Sequence, residues 1–143
     1  MDYKLEVVVV PVSDVDRAKA FYADKVGFVV DVDHQPNEKF RVVQMTPPGS
    51  ACSVTIGKGL VEMEPGSLKG LQLVVADIEA ARADLLSRGV EVSTIRHHDG
   101  ETFAEGSGGD WNSFMFFSDP DGNAWAVQQS PTLRQAASEA GAG

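Results

Sequence analysis

The hydrophobic and polar positions of this chain follow a pattern that occurs twice. Each copy has an apolar run, then an aspartate, an amphipathic helical stretch and a glycine: residues 5–10, Asp14 and Gly27, then residues 71–75, Asp77 and Gly89. An aspartate before a helix accepts from the free amides of the first turn, and glycine adopts the left-handed backbone that ends a helix. The pattern therefore predicts two copies of one strand–helix unit.

Three short strand-like runs follow each predicted helix. They cover residues 28–32, 40–45 and 52–56 in the first copy, and residues 90–95, 113–117 and 124–128 in the second. Turn residues such as Pro, Gly, Asn and Asp separate the runs, most clearly at residues 46–49 and 119–123. The order predicts an α+β fold of two βαβββ modules, residues 1–62 and 68–130, within one domain of residues 1–130.

Two segments lack the strand or helix period. Residues 97–112 are polar and rich in glycine, which is typical of a long binding loop. Residues 131–143 are rich in Ala, Gly and Gln and are predicted to form a flexible C-terminal tail.

Composition narrows the class of protein. The 143 residues carry a formal charge of −9, which repels nucleic acid phosphates and anionic lipid headgroups. The single cysteine, Cys52, excludes an internal disulfide, and no apolar run is long enough to cross a bilayer. We therefore expect a cytoplasmic protein that binds neither nucleic acid nor membranes.

Four short motifs carry a family resemblance. They are Val12-Ser13-Asp14, Ala20-Phe21-Tyr22, Gly27-Phe28 and Asp119-Pro120-Asp121-Gly122-Asn123. In this order and spacing the chain resembles the vicinal-oxygen-chelate superfamily, which includes glyoxalases, bleomycin-resistance proteins and extradiol dioxygenases. The resemblance implies that the two modules form an open, mixed-sheet half-barrel cleft, and that two chains pair in a homodimer.

The resemblance also identifies where a metal would be held. Metal-dependent members place a His in the first strand of each module, and those positions are Val7 and Gly70 here. The Glu that follows Asp-Pro-Asp-Gly-Asn is replaced by Ala126, and the fourth position falls on the strand with Ser53 and Thr55. Because Val, Gly and Ala side chains have no donor atoms, we expect no metal and no cofactor.

The strand faces that would surround a metal instead predict a binding cleft for a flat ligand. The predicted ligand-binding residues are Val7, Val9, His34, Phe40, Gly70, Gln72, Trp111, Phe114, Phe116, Ala126 and Gln128. Aromatic rings stack on planar ligands, and an amide side chain orients them. The competing interpretation is that rings such as Phe114 and Phe116 fill the core or a dimer interface.

Three functions remain open. Metal-free relatives sequester antibiotics such as bleomycin or mitomycin, so the resemblance implies a binder of an aromatic or polycyclic antibiotic or natural product, with no catalytic residue. The alternatives are a metal-free isomerase, cyclase or lyase that moves a proton with His34 or Asp110, and a flavin-binding module. The adjacent His97 and His98 are not expected to chelate one metal ion together, since neighbouring strand residues point to opposite faces, and we expect both to be solvated.

Overall fold

The structure, a computed structural model, describes residues 1–142 and the side chains of residues 1–139. The chain divides into two units, which are described separately. Unit 1 comprises Met1–Leu68 together with the turn Asp119–Asn123, and unit 2 comprises Lys69–Ser118 and the chain from Ala124 onward. The first segment of unit 1 thus ends at Leu68, and unit 2 begins at Lys69.

Unit 1 is built on a four-stranded mixed sheet. Its elements are β1 (Val7–Val9), α1 (Val15–Ala20) with a π-helical continuation (Phe21–Val26), β2 (Val29–Asn37), β3 (Phe40–Thr46) and β4 (Ser53–Lys58). The strand order is β1-β4-β3-β2, in which β1 runs parallel to β4 and the other neighbours are antiparallel. Strand β2 extends beyond the predicted residues 28–32 and therefore includes His34.

The predicted helix signals of unit 1 act as expected. The Asp14 Oδ1 atom accepts from the Arg17 amide at 3.0 Å, and Gly27 ends the helical segment with φ of 93°. The core of this unit is formed by side chains that are almost fully buried: Val10, Ala18, Tyr22, Phe28, Val43, Met45, Val54 and Ile56. Alternate residues of β3 therefore point to the core, as the two-residue strand period predicts.

Unit 2 is built on a five-stranded mixed sheet. Its elements are β5 (Leu71–Val75), α2 (Ile78–Ser87), β6 (Arg96–His98), β7 (Phe103–Glu105), β8 (Phe114–Ser118), β9 (Ala124–Gln129) and α3 (Pro131–Ala142). The order is β5-β9-β8-β6-β7, with β5 parallel to β9 and the remaining neighbours antiparallel. Within residues 1–142 the chain has three α-helices and two open mixed sheets, so the fold is α+β, as predicted.

The predicted strand at residues 90–95 is wrong. Val90 is buried, and its amide donates to the Leu85 carbonyl at the end of α2. Ser93 forms two hydrogen bonds with the backbone of Phe116, but they are isolated and do not continue as a strand ladder. The pairing begins at Arg96, and the predicted loop of residues 97–112 contains the β6–β7 hairpin. Asp99 closes that hairpin, because its carboxylate accepts from the amides of Glu101 and Thr102 at 2.9 and 3.0 Å.

The segment predicted as a flexible tail, residues 131–143, is helical in the part that the structure describes. The Ser130 hydroxyl accepts from the Leu133 amide at 3.2 Å, and Pro131 occupies the first helical position, where its missing amide costs nothing. Residue 143 lies outside the described residues. No helix within residues 1–142 is both long and apolar enough to cross a membrane.

Candidate functional site

Seven predicted binding residues lie in unit 2, and five of them share one face of its sheet. Gln72 is the register partner of Ala126, Ala126 is the partner of Phe116, and Gln128 is the partner of Phe114. The intervening residues, Met115, Phe117, Trp125 and Val127, are buried in the core of the unit. The predicted residues therefore line the opposite, more accessible face.

An aromatic cluster covers part of this face. It consists of His98, Phe103, Phe114 and Phe116. The rings of Phe114 and Phe116 are nearly parallel, 6° apart with centroids at 6.5 Å, and Phe103 meets them edge-on at 5.5 and 5.2 Å. The Phe103 side chain remains 42% exposed, so the aromatic cluster presents apolar ring surface to water.

Phe103 and His98 were not among the predicted binding residues. The sequence carried one usable signal, since Phe103 is, with Trp111, one of two large aromatic residues in the mostly polar stretch of residues 97–112. His98 is exposed, as expected, but its ring also contacts Phe103 with centroids 5.2 Å apart. The β6–β7 hairpin brings both rings beside Phe114, because Arg96 is the register partner of Phe114.

A chain of amides runs along the same face. Gln72 Nε2 donates to Gln128 Oε1 at 2.7 Å, and Gln128 Nε2 donates to the Trp111 carbonyl at 2.8 Å. Because a peptide carbonyl can only accept, the NH₂ group of Gln128 must face the Trp111 carbonyl. The carbonyl oxygen of Gln128 then faces Gln72, so Gln72 must donate to it. This amide chain ties the loop that carries Trp111 to β9 and β5.

One ion pair borders the aromatic cluster. Arg96 Nε lies 3.4 Å from Glu105 Oε1 across the β6–β7 ladder, close enough for an ion pair but without hydrogen-bond geometry. Glu105 instead accepts from the Thr94 hydroxyl at 2.7 Å. Because both charged side chains are partly exposed, the pair contributes little to stability.

The other four predicted residues lie on one face of the unit 1 sheet. Val7 and Val9 alternate along β1, His34 is the register partner of Val42, and Phe40 lies two residues before Val42 on β3. Val7, His34 and Phe40 are exposed. Gly70 immediately precedes β5 in unit 2 with φ of 85°, and a Cβ atom there would meet open space.

The register places the fourth family metal position. Val9 is the partner of Thr55 in β1–β4, just as Gln72 is the partner of Ala126 in β5–β9. Since Val9 and Gln72 each follow the predicted His position by two residues, Thr55 corresponds to Ala126. The four positions therefore hold Val7, Thr55, Gly70 and Ala126, which do not fit a metal ion.

His, Cys, Asp and Glu side chains away from the family positions could also hold a metal ion if they were grouped together. Within the described part of the chain, no three of these side chains are grouped so that they could hold a metal ion. His97 donates from Nδ1 to the Gly106 carbonyl at 2.9 Å, and His98 Nδ1 accepts from the Gly100 amide at 3.1 Å. The amides of Thr102 and Glu101 lower the pKa of Asp99, so that carboxylate serves the hairpin turn.

The same family emerges when the chain is compared with known proteins. Residues 4–127 match the model of the Glyoxalase/Bleomycin resistance protein/Dioxygenase superfamily. An uncharacterized protein, YetH, from Bacillus subtilis (strain 168) is 25% identical over 126 residues, which cover 88% of this chain and 98% of YetH.

Two solved structures from Streptomyces sp. CB03234 are also similar. TnmS3, described as an antibiotic binding protein, is 34% identical with a TM-score of 0.72, covering 90% of this chain and 97% of TnmS3. A glyoxalase/bleomycin resistance protein is 35% identical with a TM-score of 0.69, covering 88% of this chain and all (100%) of that one. The resemblance predicted from the motifs is thus confirmed, and this chain belongs to the Glyoxalase/Bleomycin resistance protein/Dioxygenase superfamily.

Proposed function

We propose that this protein binds and sequesters an aromatic or polycyclic antibiotic or natural product, without changing it chemically and without a metal ion. The observation that carries the proposal is the aromatic cluster on the open face of the unit 2 sheet, beside the amide chain. The similarity to TnmS3, a protein described as antibiotic binding, supports the same class of ligand.

The aromatic cluster suits a flat ligand for a physical reason. Phe114 and Phe116 stand side by side with nearly parallel rings, and Phe103 packs edge-on against both. When a fused ring system lies over these side chains, each Å² of buried apolar area contributes about 25 cal/mol to the free energy of binding. Each well-placed pair of aromatic rings adds about 0.5–1.5 kcal/mol. A ligand with several fused rings gains these contributions together.

The amide chain supplies the polar contact that orients such a ligand. Gln72 is exposed and uses one N–H in its bond to Gln128. Its carbonyl oxygen and second N–H are therefore free to bond a ligand hydroxyl or carbonyl. A quinone, phenol or similar oxygen-bearing ring system has the groups that this arrangement would recognise.

Sequestration without a metal is favoured by the residues at the family's ligand positions. Val7, Thr55, Gly70 and Ala126 leave no set of donors that could hold a divalent ion to polarise a substrate. The proposal further includes a homodimer in the cytoplasm. Sizing chromatography at micromolar concentration checks the dimer, which an all-monomer elution profile would contradict.

The test is a ligand titration followed by tryptophan fluorescence. Trp111 is 47% exposed and Trp125 is 3% exposed, so ligand near the aromatic cluster should quench mainly Trp111. Bleomycin, mitomycin and an anthraquinone are titrated into the protein with and without EDTA. The mass of the recovered ligand is then measured by mass spectrometry. We expect saturable quenching that EDTA does not alter, with the ligand mass unchanged.

Two outcomes would contradict the proposal. A new product mass would show that the protein is an enzyme, and binding that disappears with EDTA would show that a metal takes part. Phe103→Ala should weaken binding, whereas Phe21→Ala serves as a comparison because Phe21 lies on the helical segment of unit 1 and contacts Tyr22 instead.

A further inference from the structure

We propose that Gln128 is a positioning residue, which holds the backbone of Trp111 in a left-handed conformation and so presets the indole ring for the ligand. This inference rests on the proposed function, since it names how that site is organised. It also makes a prediction about the ligand-free protein, which can be tested separately.

Trp111 has an unusual backbone. With φ of 61° it is the only non-glycine residue with positive φ within residues 1–142, and nine glycines account for the other positive values. For a bulky L-residue this region is a genuine outlier, because the Cβ atom crowds the following carbonyl oxygen. Such a conformation persists only where neighbouring contacts impose it, and it is concentrated at binding sites.

The contacts that impose it can be identified. Asn112 is anchored to the backbone of His98, from whose amide it accepts at 2.8 Å and to whose carbonyl it donates at 2.9 Å. The Asn112 amide also bonds the Gly109 carbonyl at 3.1 Å. The Trp111 carbonyl itself is bonded by Gln128 Nε2 at 2.8 Å, so Gln128 acts directly on the peptide that follows the strained φ.

The position of Gln128 links this backbone to the aromatic cluster. Gln128 is the register partner of Phe114, and Gln72 fixes its amide from the other side. The Trp111 carbonyl is therefore tied to the strand that lies beside the phenylalanine rings. The Trp111 side chain is 47% exposed, which leaves indole surface that a ligand can cover.

The consequence is a preorganised site. If Gln128 is lost, the Trp111 backbone can relax to negative φ, and only the fraction of molecules with the original conformation is ready to bind. The apparent dissociation constant then rises by the inverse of that fraction. A tenfold weaker affinity corresponds to a competent fraction of about one tenth.

Gln128→Leu removes both the bond from Gln72 and the bond to the Trp111 carbonyl, whereas Gln128→Glu removes only the second. The glutamate carboxylate still accepts from Gln72 but cannot donate to the Trp111 carbonyl. Both variants should weaken ligand binding about tenfold, whereas Gln35→Leu, at an exposed position of β2, should leave it within about twofold. In a Trp111→Ala background, Gln128→Leu should also change affinity by less than about twofold, because the ring on which it acts is gone.

The role of Gln128 can also be tested in the ligand-free protein, so the test does not require that any compound in the panel binds. Backbone NMR shifts and the HN–Hα coupling of Trp111 report its φ, and acrylamide quenching reports the exposure of its ring. In Gln128→Leu and Gln128→Glu, we expect φ to become negative and the quenching to change. If Gln128→Leu does not fold, Gln128→Glu provides the same comparison.

The outcomes of the two arms are distinct. Absence of ligand binding in the wild type would refute the proposed function while the NMR measurement still tests the role of Gln128. The inference about Gln128 is overturned if Trp111 keeps positive φ in both variants. It is equally overturned if Gln128→Leu weakens binding to the same extent with and without the Trp111 ring.

Discussion

The Tyr22→Phe variant tests the buried polar network of unit 1. The fully buried Tyr22 hydroxyl donates to Asp119 Oδ2 at 2.7 Å, although the two residues are 97 positions apart. The same carboxylate accepts from the Asn123 side chain at 2.7 Å and from the amides of Asp121 and Asn123 at 3.0 and 2.9 Å. This network organises the turn that joins β8 to β9.

The expected magnitude follows from the charge and burial of the acceptor. A hydrogen bond to an ionised group contributes about 1.5–3 kcal/mol, and more is lost when a buried partner is left with fewer donors. Asp119 retains three donors in the variant, so we expect the free energy of unfolding to fall by about 2 kcal/mol. For a chain of this size, that corresponds to a melting temperature about 7 °C lower.

Urea unfolding followed by circular dichroism measures the effect. With an m-value of about 2 kcal/mol per molar, the midpoint should fall by about 1 M while m stays constant. Tyr3→Phe is the matched control, because Tyr3 is 90% exposed and its hydroxyl is in water. If Tyr22→Phe lowers the midpoint no more than Tyr3→Phe, the buried network does not stabilise unit 1 and the reasoning fails.

Three further predictions concern the aromatic cluster, an ion-pair network and a helix cap. Phe103→Ala removes three ring contacts and should weaken ligand binding about tenfold in the fluorescence titration, and unchanged affinity would place the ligand elsewhere. Hydrogen bonds from Arg41, and to a lesser extent from Lys19, hold the pKa of Asp33 well below its ordinary value. The ionised Asp33 therefore stabilises the folded state fully above about pH 4, and this contribution is lost as the pH falls further. Asp33→Asn should therefore lower the free energy of unfolding by about 1 kcal/mol near neutral pH, and a difference from the wild type that does not shrink in acid would contradict this assignment. Ser130→Ala removes the bond to the Leu133 amide and should reduce the helical circular dichroism of α3, with a loss of about 1 kcal/mol, whereas an unchanged spectrum would show that the cap is not needed.

The amino-acid sequence determined the features that depend on neighbouring residues. The caps at Asp14 and Asp77 and the apolar runs of β1 and β5 are local, so the repeat and the α+β class could be predicted. The two-residue strand period also placed Phe114 and Phe116 on the same face. These predictions succeed because each requires only short-range backbone geometry.

Only the tertiary structure decided which distant side chains meet. The β6–β7 hairpin that carries Phe103 to Phe114 begins after residues 90–95, whose apolar pattern is that of a strand but whose backbone is anchored to α2 and β8. Likewise, the carbonyl of Trp111, which has a left-handed backbone, is bonded by Gln128, a residue 17 positions away. Local propensity disfavours that conformation and cannot anticipate it, because the contacts that stabilise it come from strands that are paired only in the folded chain.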